Sequence, residues 1–198
     1  MTQADFKALL VQTLIAPRSA AHALIALNLP RQWLWMALAL MSVLNSIVYS
    51  VTLRLNPTND PMATAMMPPA FHSPVLFTMF LFTALALTVL TLYWIGKSLG
   101  GKARLDDVLV LICWLQVLRL ILQLVVAVLM IAAPALGALL IFIASLWGIF
   151  ILIGFVDAAH RFDNFFKAAG VIVLAMVAMA VGLTVVLSVI SVAVMGGA

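Results

Sequence analysis

The chain has 198 residues, 67% of them hydrophobic and 8% charged, and it contains no glutamate. A water-soluble domain of this length could not cover its surface with so few charges, so the class is integral membrane. The net charge of +4 comes from basic residues scattered between apolar runs, a distribution that sets topology and meets anionic lipid headgroups, and argues against nucleic acid as a partner.

Asp5 and Lys7 interrupt residues 1–16 ahead of Pro17, so no cleavable signal peptide is expected and insertion falls to the first span. Thr2 and Asp5 have capping-box spacing. Phe6, Leu9, Leu10 and Leu14 then recur at helical spacing, predicting a short amphipathic helix that stops before Pro17. Ser19 is placed to cap a second short helix reaching about Leu27. Two placements stay open for this 1–32 segment: in the plane of the interface, or packed on the ends of the spans.

Five apolar runs follow, at about 33–53, 75–95, 108–132, 135–156 and 168–190, each long enough for a core of about 30 Å. The predicted fold is therefore all-α, a five-span transmembrane domain over 33–195. Trp33, Trp35, Tyr93 and Trp94 stand at span ends, where an aromatic belt belongs. The loop from Arg54 to Pro74 carries five of the eight prolines and reads as irregular chain. Pro134 and Gly137 divide the third span from the fourth. With the N-terminus in the cytoplasm, eight lysines and arginines lie inside and only Arg54 outside, which orients the C-terminus outward.

Arg119 is the outlying residue. It falls near the middle of an apolar span, where a cation costs from about 2.5 kcal/mol on insertion scales to more than about 10 in simulation. Gln116 and Gln123 stand three before and four after it, and Ser42, Asn45, Ser46 and Tyr49 form a polar face on the first span at similar depth. These spacings predict that the two faces meet inside the bundle. No carboxylate lies at that depth. Arg119 is then satisfied by neutral groups, completed by an anion such as a lipid phosphate or a partner's carboxylate, or set as a gate in a transport path.

A second cluster lies at the charged loops. Lys102, Arg104, Asp157, His160, Arg161 and Lys167 form a candidate surface for lipid headgroups or a protein partner, with Asp157 and Arg161 at ion-pair spacing. Gly100-Gly101-Lys102 lacks the rest of a phosphate-binding loop and reads as a hinge, with Asp106 and Asp107 complementing the following helix. Asp157 and His160 are too few for zinc. Cys113 has no activating neighbour, and the GxSxG and HExxH patterns are missing. The expectation is no enzyme, no metal and no cofactor.

Three segments together resemble the Yip family of integral membrane proteins, named for interaction with Ypt/Rab GTPases. They are Thr13-Leu14-Ile15-Ala16-Pro17-Arg18-Ser19-Ala20-Ala21, Gly100-Gly101-Lys102-Ala103-Arg104, and Trp147-Gly148-Ile149-Phe150 running on to Asp157 and Lys167. One departure is Cys113-Trp114-Leu115-Gln116-Val117, where members often carry a proline. The resemblance implies a non-enzymatic protein of membrane organisation or trafficking that acts through protein partners; a homo-oligomer within the membrane is the other expectation. The long N-terminal domain that meets GTPases in eukaryotic members has no counterpart in the roughly 30 residues before the first span, so GTPase binding is not implied. The compact form resembles bacterial members, which implies the inner membrane. The rival expectation is a transporter or lipid-handling channel with a path past Arg119.

Overall fold

A computed structural model describes residues 3–55 and 73–195. The Thr2 cap and most of the proline-rich loop lie outside these residues. Seven helices are found among them: α1 (Gln3–Ile15), α2 (Pro17–Ala26), α3 (Arg31–Leu55), α4 (Pro74–Ser98), α5 (Leu105–Ala132), α6 (Pro134–His160) and α7 (Phe165–Met195). Five of them, α3 to α7, are long and apolar enough to cross a membrane. The protein is an all-helical, multi-pass membrane protein.

Local chemistry sets the boundaries. Ser73 caps α4, its hydroxyl accepting the Leu76 N–H at 3.4 Å, and Pro74 occupies the first helical position, where a missing N–H costs nothing. The Asp107 carboxylate accepts the Arg104 N–H at 2.9 Å and so closes the start of α5. Pro134 opens α6 immediately after α5 ends, with Gly137 packed against Met130. Helix α6 stops at Arg161, whose φ of 56° is the left-handed conformation common just past a helix end. One expectation is corrected at α2. It begins at Pro17, two residues ahead of Ser19, and no side chain caps it. Proline's fixed φ starts this helix in place of a serine cap.

Helix α3 lies against α4 and α5, α6 against α2, α5 and α7, and α4 against α7. The start of α3, the end of α4, the start of α5, the end of α6 and the start of α7 gather at one end of the bundle, which carries most of the charge. Burial concentrates there. Every residue of α5 from Asp107 to Trp114 is buried, as is every residue of α6 from Ile153 to His160. Toward the far end the same two helices open out, and Phe142, Leu146 and Ile149 of α6 are exposed. In a membrane protein that exposure faces lipid, where apolar surface is at no disadvantage.

The two N-terminal helices differ. Helix α2 buries Pro17, Ala20, Ala21 and Leu24 and turns Arg18, Ser19 and His22 outward, so it is two-faced. Helix α1 departs from the two-faced reading. Leu9 and Thr13 are buried, yet Val11, Leu14 and Ile15 on its outer side are apolar too.

Candidate functional site

The charged end is built around His160. Its ring is almost completely buried and stacks on Phe162 with centroids 5.2 Å apart and planes 11° from parallel. A Cβ placed on Gly96 would stand 2.0 Å from His160 Nε2, and one on Gly101 would stand 2.4 Å from Cδ2. The glycines are therefore needed for close approach of the loop to the imidazole. Gly101 N–H donates to the Gly96 carbonyl at 2.8 Å, and Lys102 N–H donates to the His160 carbonyl at 2.9 Å. His160 Nδ1 faces the Val156 carbonyl at 3.0 Å, while Nε2 is buried without a hydrogen-bond partner. The loop read as a hinge is a packed seat.

Around that seat, ion pairs fasten the N-terminal segment to the spans. Asp157, whose side chain is 3% exposed, accepts Arg18 Nε at 2.8 Å and the Asn164 N–H at 3.1 Å. Arg18 also donates to Asp163 at 2.6 Å. Arg31 donates to Asp106 at 2.6 Å, and Arg104 reaches the same carboxylate at 3.4 Å. This corrects the i, i+4 pairing expected between Asp157 and Arg161. Arg161 has left the helix in a left-handed conformation and no longer shares a face with Asp157, whose partner comes from α2. Of the candidate surface, Lys102, Arg104, Arg161 and Lys167 are exposed, while Asp157 and His160 are interior. Lys167 Nζ sits 4.7 Å from the centre of the Phe162 ring, a cation–π contact that places its charge over the His160 stack. No group of three or more possible metal ligands stands together among the described residues.

The second candidate lies between α3 and α5. Ser42, Asn45, Ser46 and Gln116 are buried together. Asn45 Nδ2 donates to the Met41 carbonyl at 2.7 Å and reaches the Gln116 carbonyl at 3.4 Å, and Ser46 Oγ donates to the Pro74 carbonyl at 2.8 Å. Tyr49 is half-buried, its ring 4.7 Å from that of Phe77. Gln123 is half-buried. The side-chain oxygens of Asn45, Gln116 and Gln123 are buried without hydrogen-bond partners.

Arg119 is not part of that contact. It is exposed, so the expectation of an arginine inside the α3–α5 interface is corrected. The reason is helical phase. At about 100° per residue, Gln116 and Gln123 agree to within about 20°, whereas Arg119 is rotated by about 60° from Gln116 and about 40° from Gln123, toward the edge of the seam. From that edge position its long side chain is exposed.

Several contacts were not anticipated from sequence. Trp114 Nε1 donates to Thr13 Oγ1 at 2.9 Å, and Thr13 in turn donates to the Leu9 carbonyl at 2.7 Å. Phe6 packs edge-on against the Trp114 ring at 5.4 Å. Trp147 Nε1 donates to the Leu14 carbonyl at 3.0 Å. A Cβ on Gly154 would stand 3.1 Å from Pro17 Cγ, so this glycine admits the α1–α2 junction to the side of α6. The available signal was a pair of tryptophans within spans and away from the aromatic belt. An indole N–H in an apolar environment needs an acceptor, and the N-terminal segment supplies both.

Comparison with curated proteins and with solved structures found no match. Comparison with protein-family models matched the Yip1 domain over residues 11–197, a stretch that begins inside α1 and takes in the α1–α2 junction, the glycine loop with its buried histidine and all five spans. With nearly the whole chain matched, the protein belongs to the Yip1-domain family.

Proposed function

We propose that this protein is a non-catalytic membrane-organising protein whose charged end gathers anionic lipid headgroups. The supporting observation is the division of charge at that end. Asp106, Asp157 and Asp163 are taken up by Arg31, Arg104 and Arg18 within the chain. Lys102, Arg161 and Lys167 remain exposed without a carboxylate partner among the described residues. Three cations held close to the ends of the spans sit at headgroup depth, where each contributes about 1 kcal/mol toward an anionic surface. The excess of lysine and arginine on this side supports a cytoplasmic N-terminus and an outward C-terminus.

The test is lipid retention on gentle extraction from mixed phosphatidylcholine and phosphatidylglycerol membranes, read by native mass spectrometry. The parent protein is expected to retain phosphatidylglycerol in excess, and the K102Q/R161Q/K167Q variant to lose that preference. Equal retention by both proteins would overturn the reading. Co-extraction of an acidic protein in place of lipid would assign the same surface to a protein partner.

A second reading is a transport or lipid-handling path beside Arg119. It is favoured by the three unpartnered amide oxygens of Asn45, Gln116 and Gln123 and by an exposed arginine about 20 Å along α5. Its test is Arg119→Leu: loss of flux with unchanged stability supports a path, and gain of stability supports a residue without that role.

A further inference from the structure

We propose that α1 is a re-entrant helix, slanting into the hydrocarbon of the leaflet at the charged end, with its outer side lying on acyl chains. Four observations converge on this placement. The first is which residues it exposes. After Lys7, the exposed residues of α1 are Ala8, Val11, Leu14 and Ile15, all apolar. Gln12 is half-buried and Thr13 is buried. A helix lying in the interface plane turns a polar face to water. This one offers water nothing polar beyond its first turns.

The second is depth. Thr13 meets Trp114, nine residues into α5, about 13 Å from its start. Leu14 meets Trp147, thirteen residues before the end of α6, about 20 Å along it. Pro17 then meets Gly154, only six residues, or about 9 Å, from the same end. Arg18 reaches Asp157 and Asp163 at the boundary. Phe6 also meets Trp114, so α1 runs below the boundary from its early turns, and the chain turns at Ala16 and returns at α2.

The third is the bonding of the turn. The last carbonyls of a helix have no partner within it, and hydrocarbon holds no water to supply one. The Leu14 carbonyl is met by the Trp147 indole N–H. Beyond α1, Ala16 N–H returns to the Gln12 carbonyl at 2.8 Å. The fourth is continuity. Trp147 and Phe150 of α6, beside the turn, are exposed and apolar, so the outer side of α1 extends the lipid-facing surface of a span. Arg18, beyond the turn, marks where the chain regains the headgroups. Insertion of this kind displaces acyl chains from one leaflet only.

The test uses the full-length protein with Cys113→Ala, carrying one new cysteine at Ile15 or, for comparison, at Ser19. Both positions are exposed, so the fold is retained, which circular dichroism and gel filtration check. Each cysteine carries an environment-sensitive nitrobenzoxadiazole label, and the protein is reconstituted in phosphatidylcholine–phosphatidylglycerol vesicles. The Ile15 label is expected to be quenched by lipids brominated in mid-chain and protected from aqueous iodide, and the Ser19 label to show the reverse. Adding Trp147→Phe, which leaves the Leu14 carbonyl unpaired, is expected to raise iodide quenching at position 15 severalfold. Equal iodide quenching at the two positions would overturn the proposal. So would an Ile15 label that neither brominated lipid nor iodide reaches, which would place a second protein surface there.

Discussion

The two ends of the bundle are built on different principles. At the charged end the helices are pressed together through glycines, a buried histidine and a paired aspartate, and α2 is locked across them. At the far end α5 and α6 meet closely at Gly137 and Met130 and otherwise present large apolar side chains outward. The difference follows from solvent. Where chain ends, loops and charges meet headgroups and water, each polar group must find a partner, and close packing keeps water out. Where lipid surrounds the helix, exposed leucine and phenylalanine cost nothing, and helices hold together by packing and a few hydrogen bonds such as Ser46 to the Pro74 carbonyl.

Glycine substitutions should break this contrast most sharply. Gly96→Ala forces a methyl group into the His160 ring and should destabilise by about 3 kcal/mol, the upper end of overpacking costs. Thermal unfolding in detergent would report it. The same substitution made with His160→Ala should cost much less, since the colliding ring is gone; equal costs in the two backgrounds would mean that the loop is not seated on the histidine. Gly148→Ala, midway along α6, meets nothing within 4 Å and should instead stabilise by about 0.5–1 kcal/mol through helix propensity.

Asp157→Asn comes next, with an expected loss of about 1–2 kcal/mol. The site is buried, but its partner Arg18 is half exposed, and solvent takes up part of the lost pairing. Limited proteolysis of the N-terminal segment should accelerate in this variant while the spans stay resistant. Trp147→Phe removes one hydrogen bond and should cost about 1 kcal/mol. Arg31→Gln should have the smallest effect on unfolding, because the Arg31–Asp106 pair is open to solvent. A large effect there would show that α3 depends on this end more than the geometry indicates.

The architecture was legible because hydrophobic length and punctuation are local properties. Pro17, Pro74 and Pro134 mark helix starts in the structure, and the apolar runs became the five spans with boundaries shifted by a few residues. The polar seam was readable in outline, since Asn45 and Gln116 share depth and each lies on an identifiable face. Arg119 was misplaced by a rotation of about 60°, which falls inside the coarse grouping of residues three and four apart. Arg161 was misassigned because a helix end one residue earlier removes the spacing on which the pair relied.

What the sequence by itself determined was the membrane class, the helical order and the family, each carried by runs and motifs that need no partner to be read. Only the tertiary structure decided what the motifs are for. Gly96 and Gly101 serve a histidine some 60 residues later, the aspartate at the end of α6 serves an arginine of α2, and two tryptophans within the spans hold α1. Those partners are distant in the chain, and steric fit and hydrogen-bond satisfaction become visible only when the helices are brought together.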